Sequence, residues 1–434
     1  MKKRRFFGLS ALLFATASFL LTLKTKWYNP GSYLLLLAFM GISLFLTNEK
    51  ALLSANVFFF AFFTYTVGIG PVTLMMGKVN FHYDYFKIIL GGLLMFCWGN
   101  AVASSEKRVK TRKDKSMFRV RLSRLNILRM MFAVSLLASA YYLIRNRNYL
   151  LGGSLQSGRI TAMAGNGLLL SVSQLSIVTI PMLYDLYQQS KERGGVLVSK
   201  FELLTDLSLA SFMLLFSGFR TPVISLYACL AILYARRKRI GNGSIILWGV
   251  FSLVLVKLLD TVRSFLSGET LSAENMLLSL GVIGCLNLGY VFQTFPAKMA
   301  FQSGYTYLLN LKMLLPGPDP DFTLWLKDAL GLRFSGGGVT PTILGEFYMN
   351  FDVTGIYLGM FLYGFLGVYV WRYFKRHSET FLGAFYVLQF AHSASGGISN
   401  VSVTVLLYTI VYWFVMMFPI YRKGNGYARQ RTES

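Results

Sequence analysis

Arg220 stands at a tight turn between two apolar runs of this 434-residue chain. The segment around it reads SGFRTP, and Pro222 suits the first turn of the helix that follows. A helix N-terminus carries free backbone N–H groups and a partial positive charge. The guanidinium and the helix end together therefore predict a site for an anionic phosphate group. The alternative is an arginine that reaches lipid headgroups while its stem stays in the apolar layer.

Arg159 lies in a second loop that is rich in glycine and serine, where GGSLQSGR is followed by GNG. Glycine allows a backbone to come close to a ligand, so the sequence predicts a ligand-binding loop here. A flexible, solvated loop is the alternative. Arg145 and Arg147, at the end of the preceding apolar run, fit contacts with phospholipid better.

Glu346 is a single carboxylate at the start of a long apolar run, in the segment TPTILGEFYMNFD. A charge in such a place is costly unless it is paired. Three roles stay open for this side chain: pairing with an arginine, capping a helix, or acting as a general base. The downstream glycines predict close packing of helices, and they are Gly355, Gly359 and Gly364.

Residues 260–343 form a long segment with further polar candidates. Arg263 and Arg333 can line a sugar or phosphate site. Aromatic side chains of the same segment can stack on sugar faces, although membrane interfaces also collect aromatic residues. These side chains are Tyr305, Tyr307 and Trp325.

The elements that must position these residues are long apolar runs separated by short polar loops. The chain is 54% hydrophobic and 14% charged, with a mean hydropathy of +0.52, which excludes a soluble domain and a disordered chain. About 20 apolar residues cross the roughly 30 Å hydrocarbon layer as a helix, and no other open structure satisfies its backbone there. We predict an all-α polytopic membrane protein with about 12 transmembrane helices, in which residues 1–434 form a single integral membrane domain. The predicted spans are residues 6–23, 31–46, 51–69, 87–103, 130–144, 167–187, 201–218, 222–235, 244–259, 347–370, 380–393 and 401–420.

The net charge of +25 is unevenly placed along the chain. Cations concentrate in residues 105–129, in residues 236–239 and near both termini. Cytoplasmic loops of membrane proteins carry an excess of Lys and Arg, so we predict that residues 105–129 form a basic cytoplasmic loop and that both termini are cytoplasmic. This placement explains the charge better than nucleic-acid binding does.

Residues 260–343 are then a long outer loop, on the periplasmic or extracellular side. Within it, residues 276–292 are apolar enough to be a span. Such a span would place the basic C-terminal segment outside, against the charge rule. We therefore predict interfacial or re-entrant helices in this loop.

The cytoplasmic loops contain no glycine-rich nucleotide loop and no paired DxD carboxylates. A cytosolic nucleotide substrate is not expected. The three cysteines lie in apolar runs without the spacing of metal ligands, and we predict neither a metal nor a cofactor. They are Cys97, Cys229 and Cys285.

Three segments in this order, on a frame of about 12 spans, resemble the oligosaccharide repeat-unit polymerases (O-antigen polymerase, Wzy-type). The segments are SGFRTP, FQSGYTYLLNLKMLLPGPDPD and TPTILGEFYMNFDVTGIYLGMFLYG. The resemblance covers most of the chain from about residue 145 onward. The family commonly reads Asn-Phe-Gly after the glutamate, whereas Asp352 replaces that glycine here.

The resemblance implies a GT-C-like glycosyltransferase at the outer face of the bacterial inner (plasma) membrane. Such an enzyme moves a growing glycan from its undecaprenyl diphosphate carrier to another lipid-linked repeat, building O-antigen, capsule or exopolysaccharide. By this resemblance Arg159 and Arg220 bind the diphosphate and stabilise the leaving group. Glu346 is the first choice for a base that activates the acceptor hydroxyl, and Asp260 is the second. The expected partners are undecaprenyl-diphosphate-linked glycans, membrane lipids, a chain-length regulator and a flippase, with no nucleic acid.

Three other functions stay open. An O-antigen ligase-like transferase uses the same donor, but such ligases are expected to carry a histidine in the large outer loop, and residues 260–343 contain none. A lipid-linked oligosaccharide flippase is expected to place charges inside its spans, often in two similar halves, and no internal repeat is apparent here. A nonenzymatic assembly or chain-length protein does not need arginines at helix-hairpin tips.

Overall fold

The computed structural model describes residues 2–26, 29–48, 52–76, 83–105, 124–151, 162, 166–192, 197–216, 220–238, 240–247, 249, 281–312, 322–334, 337–376 and 381–417. Within these ranges the chain is built from helices and contains no strand. The helices are α1 (Lys2–Thr25), α2 (Pro30–Thr47), α3 (Ala55–Phe63), α4 (Gly70–Met76), α5 (Tyr83–Ser105), α6 (Arg124–Leu151), α7 (Gly167–Ser173), α8 (Ser176–Glu192), α9 (Lys200–Phe216), α10 (Arg220–Arg237), α11 (Val282–Thr294), α12 (Tyr305–Lys312), α13 (Phe322–Ala329), α14 (Thr342–Arg376) and α15 (Phe381–Met416).

The prediction of an all-α membrane protein is confirmed in its general form. In the described part of the chain, eight helices are long and apolar enough to cross a membrane. They are α1, α2, the α3–α4 unit, α5, α6, the α7–α8 unit, α14 and α15. The number of 12 spans and the GT-C-like architecture stay predictions, and most of the predicted span 244–259 lies outside the described residues.

Local sequence explains where several of these helices begin. Asn29 accepts a hydrogen bond from the Ser32 backbone N–H at 2.7 Å, and Pro30 occupies the first position of α2. This is the arrangement that satisfies free N–H groups at a helix start. Ser54 caps α3 in the same way, and Pro222 lies in the first turn of α10 as the sequence predicts.

Two ion pairs join helix ends that carry basic residues. The Arg129 guanidinium meets the Glu202 carboxylate at 2.7 Å, which joins the start of α6 to the start of α9. Arg237, at the end of α10, meets Asp185, near the end of α8, at 2.9 Å, and both side chains are about nine-tenths buried. The second Asp185 oxygen accepts the backbone N–H of Phe381, so the start of α15 lies at the same end of the bundle.

Two further arginines donate to backbone carbonyls at this end. Arg372 donates to the carbonyl of Ala103 at 2.7 Å, which places the last turns of α14 beside those of α5. Arg124 donates to the carbonyl of Met416, joining the start of α6 to the end of α15. We call this face of the molecule the basic end.

The opposite termini of the same helices define the far end. At about 1.5 Å per residue, α10 runs roughly 27 Å away from the basic end to its first residue, and α6 runs roughly 42 Å. The helix termini at the far end include Leu151, Gly167, Phe216 and Arg220. Among the described residues that the sequence places on the cytoplasmic side, the four arginines named above therefore lie at one end of the bundle.

Buried amides tie four helices together toward the basic end. Asn48 and Asn56 both donate to the side-chain oxygen of Asn100, at 2.9 and 2.6 Å. Asn56 also donates to the carbonyl of Gly364 at 2.8 Å, which connects α3 to α14. A Cβ at Gly364 would overlap the backbone of Phe96, so α5 and α14 pack as closely as the glycine pattern predicts.

Helix α14 is broken near its start and folds back on itself. Phe351 and Asp352 have non-helical backbone angles. A Cβ at Gly359 would lie 2.7 Å from the Phe347 ring, whereas these residues would be roughly 18 Å apart along a straight helix. Residues 342–350 therefore form a short half-helix packed antiparallel to the long arm 353–376. The predicted span 347–370 therefore contains a break that the sequence did not predict, and its first residues belong to the half-helix.

Helix α15 folds back in the same manner at Gly397, whose φ is 79°. The rings of Phe381 and Tyr412 lie 6.4 Å apart, and those of Phe385 and Tyr408 lie 5.5 Å apart. In a straight helix the first pair would be separated by about 46 Å. The arms 381–396 and 398–416 are thus antiparallel, and they correspond to the separate spans predicted at 380–393 and 401–420.

Helices α11 to α13 form an outer layer at the far end. They share a small apolar core with the half-helix of α14, and this core contains Val291, Phe295, Leu309, Phe322, Leu326, Leu330, Val339 and Met349. Helix α11 has 13 residues, which is about 20 Å and shorter than a span requires. Since residues 251–280 lie outside the described part, the interfacial or re-entrant course of the long loop stays a prediction.

Replacing Asp352 by glycine is expected to stabilise the protein. Its φ of 60° and ψ of −163° fall in a region used almost only by glycine, which costs roughly 1–3 kcal/mol. Removing the carboxylate from the start of the long arm loses about 0.3–1 kcal/mol of helix-dipole attraction. We expect a net gain of about 1 kcal/mol in unfolding free energy, measured by thermal unfolding of the purified protein in detergent.

The matched control is Val353→Gly, one residue further on, where the backbone is helical. There the same change is expected to destabilise by about 1 kcal/mol. An equal loss of unfolding free energy in both variants would show that the backbone at Asp352 is not strained.

The sidedness predicts opposite labelling of two exposed lysine positions. Lys298 follows α11 in the outer layer, and Lys238 follows α10 at the basic end. The three native cysteines are buried and free, so their reaction with a maleimide is expected to be low. In intact spheroplasts, an impermeant maleimide is expected to label Lys298→Cys and to label Lys238→Cys only after permeabilisation. The reverse pattern would invert the topology.

Candidate functional site at a buried glutamate

Glu346 lies in the half-helix of α14 and is fully buried. Its carboxyl group meets the start of the second arm of α15. Oε2 accepts the backbone N–H of Ile398, and both oxygens lie near the backbone N–H of Ser399, at 3.1 and 3.3 Å. Those two N–H groups open an arm and have no carbonyl of their own turn to donate to. Of the three roles that the sequence leaves open, helix capping is the one present in the structure.

Glycine at position 397 is what allows this contact. A Cβ there would overlap Glu346 Oε2, and the positive φ is itself unfavourable for other residues. The ring of Pro341 lies against the same glycine, 3.4 Å from where a Cβ would be. The start of the half-helix and the start of the arm therefore meet at one point, which we call the Glu346 junction.

Helix α12 is the third element of the Glu346 junction. The Ser399 hydroxyl lies within hydrogen-bond distance of Glu346 Oε1 and also 2.8 Å from the carbonyl of Thr306. The side chain of Asn350 donates to the Thr306 hydroxyl at 2.6 Å and accepts the backbone N–H of Gly304 at 2.8 Å. These bonds fix α12 across both broken helices.

A pair of asparagines extends the contact between α12 and α15. Asn310 donates to the side-chain oxygen of Asn400 at 3.1 Å, and Asn400 donates to the carbonyl of Gly396 at 2.7 Å. The side-chain oxygen of Asn310 accepts the backbone N–H of Phe322, which starts α13. The turn at Gly397 is therefore held to both short outer helices.

Tyr307 is the titratable side chain of α12 that faces the junction. Burial raises the pKa of its hydroxyl, whereas a hydrogen bond with Asn350 acts in the opposite direction. Its ring stacks at 6.5 Å on Phe351, which is half exposed at the break in α14. An aromatic surface thus lies between the junction and the outside.

The other predicted site residues are distributed as follows. Arg220 is the first residue of α10 at the far end, but its side chain lies outside the described part, as do Arg159, Asp260 and Arg263. Arg333 is exposed after α13, and Tyr305 is exposed at the start of α12. Their assigned roles stay predictions. Among the described residues, no Lys or Arg forms a salt bridge with Glu346.

The structure brings together two of the three segments that carry the resemblance. Thr306 and Asn310 belong to the second segment, and Glu346 and Asn350 belong to the third. Sequence reasoning missed the third participant, residues 396–400, because these small residues lie between two predicted spans. The Gly-Gly pair inside a long apolar stretch was the available signal for a close approach of another backbone.

Comparison with models of protein families, with curated proteins and with solved structures finds no match to this chain.

Replacing Gly397 by alanine is expected to destabilise the protein by about 1–3 kcal/mol, because the methyl group overlaps the Glu346 carboxyl and forces a strained backbone. Gly396→Ala is the matched control, since the nearest atom to a Cβ there is 3.4 Å away and no positive φ is required. Thermal unfolding of both purified variants measures the difference. Equal melting temperatures would exclude the tight contact at Gly397.

Proposed function

We propose that the protein polymerises undecaprenyl-diphosphate-linked oligosaccharide repeat units at the outer face of the bacterial inner membrane. One observation supports this most: the segments with the resemblance gather at the far end, away from the basic helix ends. The Glu346 junction contains two of them, and the described residues of the remaining one, SGFRTP, begin at Arg220, which starts α10 at that end. By the positive-inside rule the far end is the outer face, where lipid-linked repeats are exposed.

The proposed reaction needs cations more than it needs a cofactor. The donor carries its own leaving group, a polyprenyl diphosphate, on which negative charge develops as the glycosidic bond breaks. Arg159, in the segment after Leu151, and Arg220, the first residue of α10, are the candidates to bind it. Arginine suits this task because its fork of donors matches phosphate oxygens.

The outer layer supplies the surface for the glycan in this proposal. Tyr305 and Phe351 are exposed aromatic side chains beside the break in α14. Aromatic faces suit stacking on sugar rings, and Arg333 adds a cation at the same layer. The carboxyl oxygens of Glu346 are turned inward in this conformation, so a role as base would require that side chain to turn out of the junction.

A lipid-linked oligosaccharide flippase is the second candidate, and the broken helices favour it. Transporters often build their sites from discontinuous helices whose half-helix ends face the substrate. Helices α14 and α15 have this form. Against it, the Glu346 carboxyl group already accepts the free N–H at Ile398, and Arg220 starts α10 at the far end.

The deciding experiment is the glycan length profile of a deletion strain, together with its lipid-linked intermediates. For a polymerase, the deletion is expected to leave single repeats outside the membrane and no long chains. Arg159→Ala and Arg220→Ala, at equal expression, are each expected to lower long-chain product by roughly 10²-fold. Arg147→Ala is the matched control, since Arg147 is exposed at the end of α6 and fits a lipid contact.

The same experiment separates the alternatives. Repeats that accumulate on the inner face would indicate a flippase. Long chains that stay on the carrier would indicate a ligase-like transferase. Normal chains in both arginine variants would exclude the proposed diphosphate site.

A further inference from the structure

Three oxygen atoms lie in a row at the Glu346 junction. Ser399 Oγ is in the middle, with Glu346 Oε1 on one side and the carbonyl oxygen of Thr306 on the other. Each neighbour is within hydrogen-bond distance of the serine. Residues from α14, α15 and α12 contribute one oxygen each, so the row connects all three elements.

The row contains too few hydrogens if Glu346 is ionised. A serine hydroxyl has one hydrogen to donate, and a backbone carbonyl or a carboxylate has none. Ser399 would then donate to one neighbour and face the other with lone pairs only. A contact between two acceptors at this distance is repulsive in a buried site.

We propose that Glu346 is protonated in the folded protein and acts as a proton-binding site that holds α12 in place. The acid donates its hydrogen from Oε1 to Ser399 Oγ, and Ser399 donates to the carbonyl of Thr306. Oε2 accepts the backbone N–H of Ile398. Every polar atom of the row then has a partner.

The surroundings of the carboxyl group agree with a neutral acid. Glu346 is fully buried, and no Lys, Arg or His of the described residues forms an ion pair with it. Among the described residues, two phenols interact electrostatically with it, Tyr307 from α12 and Tyr363 from the long arm of α14. The backbone N–H groups of Ile398 and Ser399 act against the neutral form, because hydrogen bonds from them also stabilise a charged carboxylate.

Loss of the proton has a defined structural consequence. Ser399 would turn its hydrogen toward the charged carboxylate, and the carbonyl of Thr306 would lose the hydrogen bond from Ser399. The remaining side-chain bonds to α12 would be those of Asn350 and Asn400. Helix α12, which carries Tyr305 and Tyr307, would then be held less tightly. This inference does not depend on the proposed polymerase activity, since it concerns only the junction.

The sign of the pH dependence follows from proton counting. If the folded protein holds a proton that the unfolded chain releases, the folded state binds one more proton, and stability falls as pH rises. Glu346→Gln keeps a donor and an acceptor but cannot titrate. The wild type is therefore expected to lose stability as pH rises from about 4.3, the ordinary pKa of glutamate, to the pKa of folded Glu346. Glu346→Gln is expected to melt near the wild-type temperature at neutral pH and to lack this part of the pH dependence.

The test combines thermal unfolding across pH with infrared spectroscopy of the full-length protein in detergent. The wild type is expected to show the carbonyl band of a buried carboxylic acid at neutral pH. Glu346→Gln should lack this band, and Ser399→Ala should shift it. Glu346→Ala removes both the hydrogen-bond donor and the acceptor of this side chain. It should therefore be clearly less stable than Glu346→Gln.

Two results would overturn the proposal. One is wild-type stability that rises with pH through the neutral range, together with no acid band, which would show an ionised carboxylate. The other is an infrared carbonyl band of a buried acid that stays unchanged in Glu346→Gln, because that band would then come from another residue. If that variant fails to fold, the pH dependence of the wild type and the band in Ser399→Ala decide the question.

Discussion

A carboxyl group that is fully buried among apolar helices must find hydrogen-bond partners inside the protein, and this requirement organises the far end of the bundle. Glu346 finds them in the backbone N–H groups that open the second arm of α15. Those N–H groups are equally costly to bury without an acceptor. Each side of the contact therefore satisfies the other, and the two broken helices stabilise each other at this point.

The break in each helix is what makes the contact possible. An unbroken α14 would carry Glu346 beyond the bundle, and an unbroken α15 would have no free N–H groups at Ile398. Gly397 allows the turn in α15, because it adopts a positive φ and leaves space for the Glu346 carboxyl group. Asp352 forms the turn in α14, where its positive φ strains the backbone. Helix α12 then closes the site, because Ser399 and Asn350 both reach Thr306.

Much of this fold could be predicted from the sequence, for a simple physical reason. Apolar runs such as those of α2 and α5 predict membrane-crossing helices directly, because a helix that crosses the bilayer needs apolar side chains over a fixed length. The basic loops likewise predicted which helix ends share a face, and Arg237, Arg372 and Arg124 lie together as expected. The fold-back at Asp352 was not predicted, since the apolar pattern continues through it and hydropathy carries no information on backbone angles.

The candidate site was predicted only in part because its bonds join residues far apart in the chain. Glu346 is predicted as a site residue because it is a carboxylate in an apolar run. Nothing near it in the sequence identifies Ser399, 53 residues away, as its hydrogen-bond partner. The same pattern that resembles a polymerase motif has glycine where this chain has Asp352. The structure explains why glycine suits that position, since the turn requires a positive φ whichever residue is present. Strained backbone of this kind clusters at functional sites, and here it lies beside exposed Phe351 and Tyr305, the aromatic side chains of the proposed glycan surface.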